Sequence, residues 1–394
     1  MDKKTFGRGN PQEEAPKRIE KRKKIKWLPL LGVTAAVMVI AAVALLWDST
    51  VFDGLRRSVI YSRAEKDENG CALLYTYAAE KDNRYAALEG SLILASPNRI
   101  TLLGEDRTSR YSADVKFRQS AIVTGGGVAA VYDIGGTEIY MLSPQGLVRQ
   151  LTAEGEILSC TLNEKGDLAV TYNKTGYKAG VVVYNAKGEL LFAFNSADRF
   201  LMTAAVSRDG RQMAAVTMGQ TEGEFASSLV IYRMESDKVH AVCELSGGAV
   251  YDLGTVGNSY CAVGEDALHF VNGNGALKAA YAFEGGYLRR CDLSDDGYAA
   301  LVLGKYRSGV QTRLVTVDSE GTVLGELEAE REVLRVSAAG KYVAVLYSDE
   351  LVIYDKTLQV YASLSEVSAA KQVLMRDDGS AVLVGASSAS LYLP

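Results

Sequence analysis

The chain carries an internal repeat of about 41 residues, which constrains its fold more than any other feature. Each unit has a strand, a tight turn and a second strand, as in TLNEKGDLAVTY, followed by an apolar strand that ends in a polar turn, as in VVVYNAKG. The residues that close this apolar strand recur eight times between Leu103 and Leu393. The turn glycines also recur eight times, as hairpin turns with positive φ require: Gly90, Gly127, Gly166, Gly210, Gly257, Gly297, Gly340 and Gly379.

Four short strands per repeat of this length predict a β-propeller. We label the strands of a blade a to d, outward from the axis. Strands a to c are almost continuously apolar, as expected for a sheet that packs between two neighbouring sheets. We therefore predict an all-β, eight-bladed β-propeller over residues 71–394, preceded by a single transmembrane α-helix. Seven blades is the alternative if the first unit is irregular.

The two ends of the repeat region are complementary. The eighth unit stops at Pro394 without a strand d, while residues 71–79 (CALLYTYAA) form a strand that has no blade of its own. An open ring would leave an unpaired sheet edge. We therefore predict that strand 71–79 supplies the outer strand of the eighth blade and closes the propeller.

The N-terminal part has the pattern of a membrane anchor. Residues 27–47 form an uncharged apolar run, bounded by Trp27 and Trp47, that is long enough to span a bilayer. Residues 1–26 carry ten Lys and Arg against four Asp and Glu, which predicts a cytoplasmic tail and an extracytoplasmic C-terminal domain in the cell membrane. A cleaved signal peptide is the alternative, but its Ala-x-Ala pattern lies inside the run. In the juxtamembrane linker, residues 48–70, the stretch VFDGLRRSVIYSR is compatible with an amphipathic helix or a plain stalk.

Charge and cysteine content exclude several classes of function. The whole chain has a formal charge of −5 and residues 1–26 contribute +6, so the remainder carries −11. An acidic domain repels phosphate backbones, so we expect no nucleic-acid partner. The five cysteines include no C-x-x-C pair, so neither a zinc nor a redox site is indicated.

The sequence contains no recognisable catalytic constellation. The only two histidines, His240 and His269, lie in predicted strands without other ligand-type residues at suitable spacing. Ser368 and Lys371 match S-x-x-K, but the partner motifs are absent and the stretch leads into a strand. We therefore predict no catalytic residues, no bound cofactor and no metal.

The loops between strands b and c are the best candidates for a binding surface. They vary in length, whereas the a–b turns do not, and each long loop carries an aromatic residue. Function tends to lie on loops that a rigid scaffold positions, and Tyr and Arg are enriched at interface hot spots. The alternative is simple variation in the length of solvated loops. The candidate partner-binding residues are Tyr177, Lys178, Glu224, Phe225, Tyr306 and Arg307.

These features together resemble an uncharacterised family, a domain of unknown function from Gram-positive, mainly clostridial, bacteria. The resemblance is carried by KRKKIKW before the apolar run and by the repeated LVIYD strands and DDG-type turns. It implies a single-pass membrane protein with a WD40-like or quinoprotein-like β-propeller. The resemblance brings no catalytic residues to this sequence.

We expect a membrane-anchored, non-enzymatic scaffold that binds a protein or peptide partner at the cell envelope and contacts the lipid bilayer through its anchor. A sensor with a small ligand in the axial channel is the first alternative. A carbohydrate-active or quinone-dependent enzyme is the second. Propeller folds host many functions, so the architecture does not choose among these alternatives.

Overall fold

A computed structural model describes most of the chain after residue 49. The described residues are 37–38, 50–62, 65–80, 82–197, 199–221, 224–236, 238–246, 248–294 and 296–394. The chain divides into two compact units, Met1–Asp53 and Gly54–Pro394. The predicted tail lies outside the described residues, as does the predicted membrane segment except for Val37 and Met38.

One helix, α1 (Thr50–Ile60), forms in the juxtamembrane linker, where the sequence allowed either a helix or a stalk. Asp53 in its first turn and Arg57 in its last turn both complement the helix dipole. No helix in the described part of the chain combines the length and the apolarity needed to cross a bilayer.

The described residues after α1 form thirty-two strands in eight antiparallel sheets of four. In the first four blades, strands a to d are β2 (Arg84–Leu88), β3 (Ser91–Ala95), β4 (Arg99–Leu103) and β5 (Ser109–Asp114); β6 (Ser120–Gly125), β7 (Val128–Asp133), β8 (Glu138–Ser143) and β9 (Gly146–Thr152); β10 (Ile157–Leu162), β11 (Leu168–Tyr172), β12 (Ala179–Tyr184) and β13 (Leu190–Ser196); β14 (Phe200–Val206), β15 (Gln212–Thr221), β16 (Glu224–Arg233) and β17 (Val239–Leu245).

The remaining four blades repeat the same order. Their strands a to d are β18 (Val250–Val256), β19 (Ser259–Gly264), β20 (Ala267–Val271) and β21 (Leu277–Ala282); β22 (Tyr287–Ser294), β23 (Tyr298–Gly304), β24 (Thr312–Asp318) and β25 (Val323–Ala329); β26 (Val333–Ala339), β27 (Tyr342–Tyr347), β28 (Glu350–Asp355) and β29 (Val360–Ser365); and β30 (Gln372–Met375), β31 (Ala381–Val384), β32 (Ser388–Tyr392) and β1 (Cys71–Thr76).

The sheets form a closed ring. Each innermost strand contacts the innermost strand of the next blade, from β2 through to β30, and β30 contacts β2 in turn. The predicted eight-bladed β-propeller is thereby confirmed, and the seven-bladed alternative is wrong. All eight turn glycines between strands a and b have positive φ, between 51° and 84°, as the repeat predicts.

The core consists of apolar layers between neighbouring sheets. Between blades seven and eight, for example, Tyr342, Leu351 and Ile353 pack against Val373 and Leu383. The second strands are buried on both faces, and β7, β19 and β27 are buried at every position. Burial of each large aliphatic side chain contributes about 1.5–3 kcal/mol. Stability is therefore distributed around the ring instead of being concentrated in one centre.

The eighth sheet joins the two ends of the repeat region. β1 pairs antiparallel with β32, from Cys71 opposite Tyr392 to Thr76 opposite Ser388. Tyr75 is buried in the layer between blades eight and one, and its hydroxyl donates to the Gly90 carbonyl oxygen at 2.9 Å. Strand β1 therefore supplies the outer edge of the last blade and also helps to bind that blade to the first.

A buried arginine fixes α1 to the face of the ring that carries the a–b and c–d turns. The Arg57 guanidinium donates to the Tyr361 hydroxyl at 2.6 Å, to the Asp378 carbonyl oxygen at 2.5 Å and to the main-chain oxygen of Pro394 at 3.0 Å. Tyr61 continues this contact, since its hydroxyl donates to the Asp378 carboxylate at 3.0 Å. Only 5% of Arg57 is exposed, so these contacts replace its hydration.

We expect Tyr75→Ala to lower the free energy of unfolding by about 3–5 kcal/mol, because it removes a buried aromatic ring and leaves a cavity at the closing seam. Denaturant unfolding of the full-length protein in detergent measures this change. Thr76→Ala is the control, since Thr76 is exposed in the same strand. Equal stability of the two variants would contradict the importance of the seam.

We expect Arg57→Gln to release α1, because one amide cannot replace three hydrogen bonds from a buried guanidinium, each worth about 1.5–3 kcal/mol. Hydrogen exchange of residues 54–62 should become faster in this variant. The adjacent Arg56→Gln is the matched control, because Arg56 is exposed on the same helix. Unchanged exchange in Arg57→Gln would show that Arg57 does not hold the helix.

Candidate functional site

The b–c loops and the d–a connections lie at the same end of the ring, because the first residues of each strand a pair with the last residues of strand b. Tyr287, for example, pairs with Gly304, after which the b–c loop of blade six begins. This end is opposite to the face that Arg57 contacts. We call it the loop face and use it for the b–c loops, the d–a connections and the first residues of each strand a.

On blade six, the b–c loop presents the predicted residues Tyr306 and Arg307. Tyr306 is 57% exposed, and the Arg307 guanidinium carbon lies 5.5 Å from the centre of the Tyr287 ring. Arg289 fixes the backbone of this loop, since its guanidinium donates to the carbonyl oxygens of Tyr306 at 2.8 Å and Gly309 at 2.7 Å. Arg289 is thus a positioning residue that the sequence reasoning missed.

On blade three, the predicted residues Tyr177 and Lys178 lie at the end of the b–c loop. Tyr177 is 47% exposed, and the Lys178 ammonium lies 4.6 Å from the centre of the Phe200 ring. The main-chain amide of Lys178 donates to the Ser196 carbonyl oxygen at 2.8 Å, which ties the loop to strand d. The lysine therefore links blade three to the first residue of blade four.

The predicted b–c loop of blade four, residues 218–228, is largely strand. β15 and β16 continue as a paired hairpin up to Thr221 and Glu224, so the long insertion extends the sheet instead of forming an irregular loop. The alternation of the sequence was hidden there by polar and glycine residues. Glu224 and Phe225 belong to this hairpin, and the structure describes only their backbone.

Three aromatic residues at the starts of consecutive inner strands complete this part of the loop face. Phe200 is 54% exposed on blade four, Tyr251 59% on blade five and Tyr287 42% on blade six. Exposed aromatic residues that share one end of the ring mark that end as a candidate binding surface. The signal in the sequence is an aromatic residue at or next to the first position of strand a in three successive units.

A cavity of about 550 Å³ opens at the mouth of the axial channel. It lies across the ring axis from these aromatic residues. Blades one, two, seven and eight line it, and its walls are mainly polar. Its charged lining residues are Glu80, Asp82, Arg84, Arg335 and Lys371.

Asp252 faces the channel from blade five. Desolvation by the surrounding protein raises the pKa of its carboxyl above the usual value of 3.8. The main-chain amide of Leu253, at 2.8 Å, offsets part of this effect. The carboxylate therefore opposes folding when it is ionised.

The remaining candidate groups for chemistry are dispersed. His269 is 1% exposed within β20, and burial lowers the pKa of its imidazole. All five cysteines are free, and burial raises the pKa of the Cys71 thiol to about 11. Within the described residues, no three His, Cys, Asp or Glu side chains lie close enough together to hold a metal ion.

We expect Asp252→Asn to raise the melting temperature at pH 7 but not at pH 3.5. The unfolded carboxyl ionises near pH 3.8 whereas the folded one ionises at higher pH, so above both values the ionised group favours unfolding, and below both the difference disappears. Asp266→Asn, at an exposed turn of the same blade, is the control. An equal gain at both pH values would contradict this assignment.

Solved structures with this architecture are similar to the chain in fold only. The C-terminal WD40 domain of Sif2 is 12% identical, with a TM-score of 0.57, over 82% of this chain and 97% of that one. BamB from Moraxella catarrhalis is 11% identical, with a TM-score of 0.52, over 82% and 99%. The computationally designed Ika8 protein is 11% identical, with a TM-score of 0.53, over 81% and 99%.

No curated protein matches the chain significantly. A family model described as a family of unknown function, DUF5711, matches residues 71–378, which extend from the closing strand to the last a–b turn. The resemblance to an uncharacterised propeller family is confirmed at this level. Since the match covers well over half of the sequence, the chain belongs to the DUF5711 family.

Proposed function

We propose that this protein is a membrane-anchored, extracytoplasmic scaffold without enzymatic activity, which binds a protein or peptide partner through its loop face. It would be a single-pass protein of the cell envelope of a Gram-positive bacterium, with its N-terminus in the cytoplasm. The apolar run of residues 27–47 supports the membrane anchor. The loop face described above supports the binding of a partner.

The exposed aromatic residues at the starts of the inner strands of blades four to six, which we call the aromatic surface, carry this proposal. Phe200, Tyr251 and Tyr287 are all more than two-fifths exposed, and cations from two b–c loops lie over two of these rings. Aromatic rings provide contact area with little loss of side-chain entropy, and Tyr, Trp and Arg are enriched at interface hot spots. Each cation–π contact contributes about 0.5–1 kcal/mol and preorganises the surface.

The attachment of α1 supports the choice of this face. Arg57 and Tyr61 contact the a–b turn of blade eight, at the end of the ring opposite to the b–c loops. A partner that binds the loop face would therefore not displace the helix.

The proposal is tested by crosslinking from outside intact cells. In a Ser308→Cys variant, an exposed thiol in the b–c loop of blade six is labelled with a membrane-impermeant maleimide that carries a photoreactive group. We expect labelling in intact cells and a discrete crosslinked product after irradiation. The native thiols should contribute little, because burial raises the pKa values of Cys71, Cys160 and Cys261.

The controls separate location from binding. Lys187→Cys places the thiol on an exposed c–d turn at the opposite end and should be labelled without giving the product. Tyr251→Ala with Tyr287→Ala, added to Ser308→Cys, should abolish the product but not the labelling. Labelling only after cell lysis would contradict the location, and a product that survives the double substitution would contradict the role of the aromatic surface.

The second candidate function is a sensor for a small ligand in the channel. The cavity of about 550 Å³ favours it, because ligand pockets commonly enclose about 300–1,000 Å³. Such a sensor would show a rise in melting temperature with an envelope metabolite and no crosslinked product at residue 308.

A further inference from the structure

Two arginines on neighbouring blades converge at the mouth of the channel. The Arg335 guanidinium on blade seven donates to the Leu334 carbonyl oxygen at 2.7 Å, and the Arg290 Nε on blade six donates to the same oxygen at 3.4 Å. Arg290 also donates to the Arg289 carbonyl oxygen at 2.8 Å. One carbonyl oxygen is therefore shared by two positive charges.

A third arginine and a lysine extend this group around the ring. Arg84 begins the inner strand of blade one, and it lines the 550 Å³ cavity together with Arg335 and Lys371. Burial, followed by the charges of Arg290 and Arg84, lowers the pKa of Arg335. We call Arg84, Arg290 and Arg335 the arginine cluster.

The arginine cluster has no acidic partner among the described residues. Six other arginines of the ring each have a carboxylate oxygen within 3.0 Å: Arg99, Arg110, Arg118, Arg208, Arg313 and Arg331. Arg290 and Arg335 instead donate to main-chain oxygens, which satisfy hydrogen bonds without neutralising charge. Like charges held together without a neutralising carboxylate favour the binding of an anion.

The surroundings determine which anion fits. Guanidinium groups bind carboxylates through paired hydrogen bonds, and Gln119, Ser120 and Gln372 line the same cavity as further polar groups. Glu80 and Asp82 also line a separate outer groove with Asn98, Arg99 and Asp114, so they stand at the outer border of the cavity. The chain after residue 26 carries a net charge of −11, so an anion is attracted only close to the channel mouth. An extended polyanion would be repelled by the rest of the acidic surface.

We propose that the arginine cluster binds the carboxylates of a short acidic segment in the protein or peptide partner. The proposal rests on the proposed function, because Tyr287 of the aromatic surface lies on the same blade as Arg290. A peptide that crosses the channel mouth would meet Phe200, Tyr251 and Tyr287 on one side and the arginine cluster on the other. The partner therefore combines apolar or aromatic side chains with neighbouring Asp or Glu residues.

The test uses the full-length protein in detergent and a fluorescein-labelled hexaglutamate peptide, with binding followed by fluorescence anisotropy. We expect Arg290→Gln with Arg335→Gln to weaken binding by about tenfold or more, because charge-assisted hydrogen bonds are lost. Arg149→Gln with Arg233→Gln removes the same charge from exposed positions elsewhere on the ring and should leave binding within about twofold. Hexaglutamine should not bind.

Several results would overturn the proposal. Equal losses in the two double variants would show that only net charge matters. Cluster-dependent binding of inorganic phosphate without binding of hexaglutamate would assign the site to small free anions. A lower melting temperature in Arg290→Gln with Arg335→Gln, without a change in peptide affinity, would assign the cluster a structural role, since removing mutual repulsion should not destabilise the ring.

The same variants distinguish this inference from the proposed function. When they are combined with Ser308→Cys, a crosslinked product of unchanged yield would leave the proposed function intact and reject the acidic segment. Loss of the product in the arginine variants, but not in the Arg149 and Arg233 control, would support both.

Discussion

The pairing of β1 with β32 is the constraint on which the rest of the structure depends. In a ring of sheets each layer of the core lies between two neighbours, so no blade is complete until the last one meets the first. The contact is made by a strand from the beginning of the repeat region and a strand from its end, which couples the two ends of about 320 residues. Tyr75 adds a side-chain contact across the seam where that coupling is needed.

The fold was predictable from the sequence because the repeat specifies it locally, eight times over. The glycine at each a–b turn occupies the positive φ that the turn requires, and the apolar strands match sheets buried on both faces. An irregular spacing in one unit does not hide the repeat, because the other units keep it. The outer part of the hairpin in blade four, residues 218–228, is the exception, since its polar and glycine residues lack the apolar pattern of a strand.

The candidate site was predictable only in part, because it is assembled across blades. Tyr177, Lys178, Tyr306 and Arg307 stand out in the sequence, since they lie in loops of unusual length. Lys178 over Phe200 and Arg307 over Tyr287 join residues that belong to different elements, and no local pattern reports that proximity.

The arginine cluster is a stronger example of the same limit. Arg84 and Arg335 are 251 positions apart in sequence and lie in strands of ordinary composition, yet closure of the ring brings them to one cavity. A whole-chain charge of −5 gives no sign of a basic site, because composition averages over all faces.

The ring geometry explains how one small surface can carry two kinds of contact. The inner strands of all eight blades begin at the same end of the ring, so each blade can present different side chains there without a change in the sheet behind them. Blades four to six carry exposed aromatic residues in this region, and blades six, seven and one carry arginines. The acidic body of the domain gives no long-range attraction for an acidic partner, so recognition there depends on short-range fit at the mouth. Such a surface discriminates by the order of aromatic and acidic residues in the partner, because a segment with only one of the two kinds leaves either the rings exposed or the arginine cluster without a counter-charge.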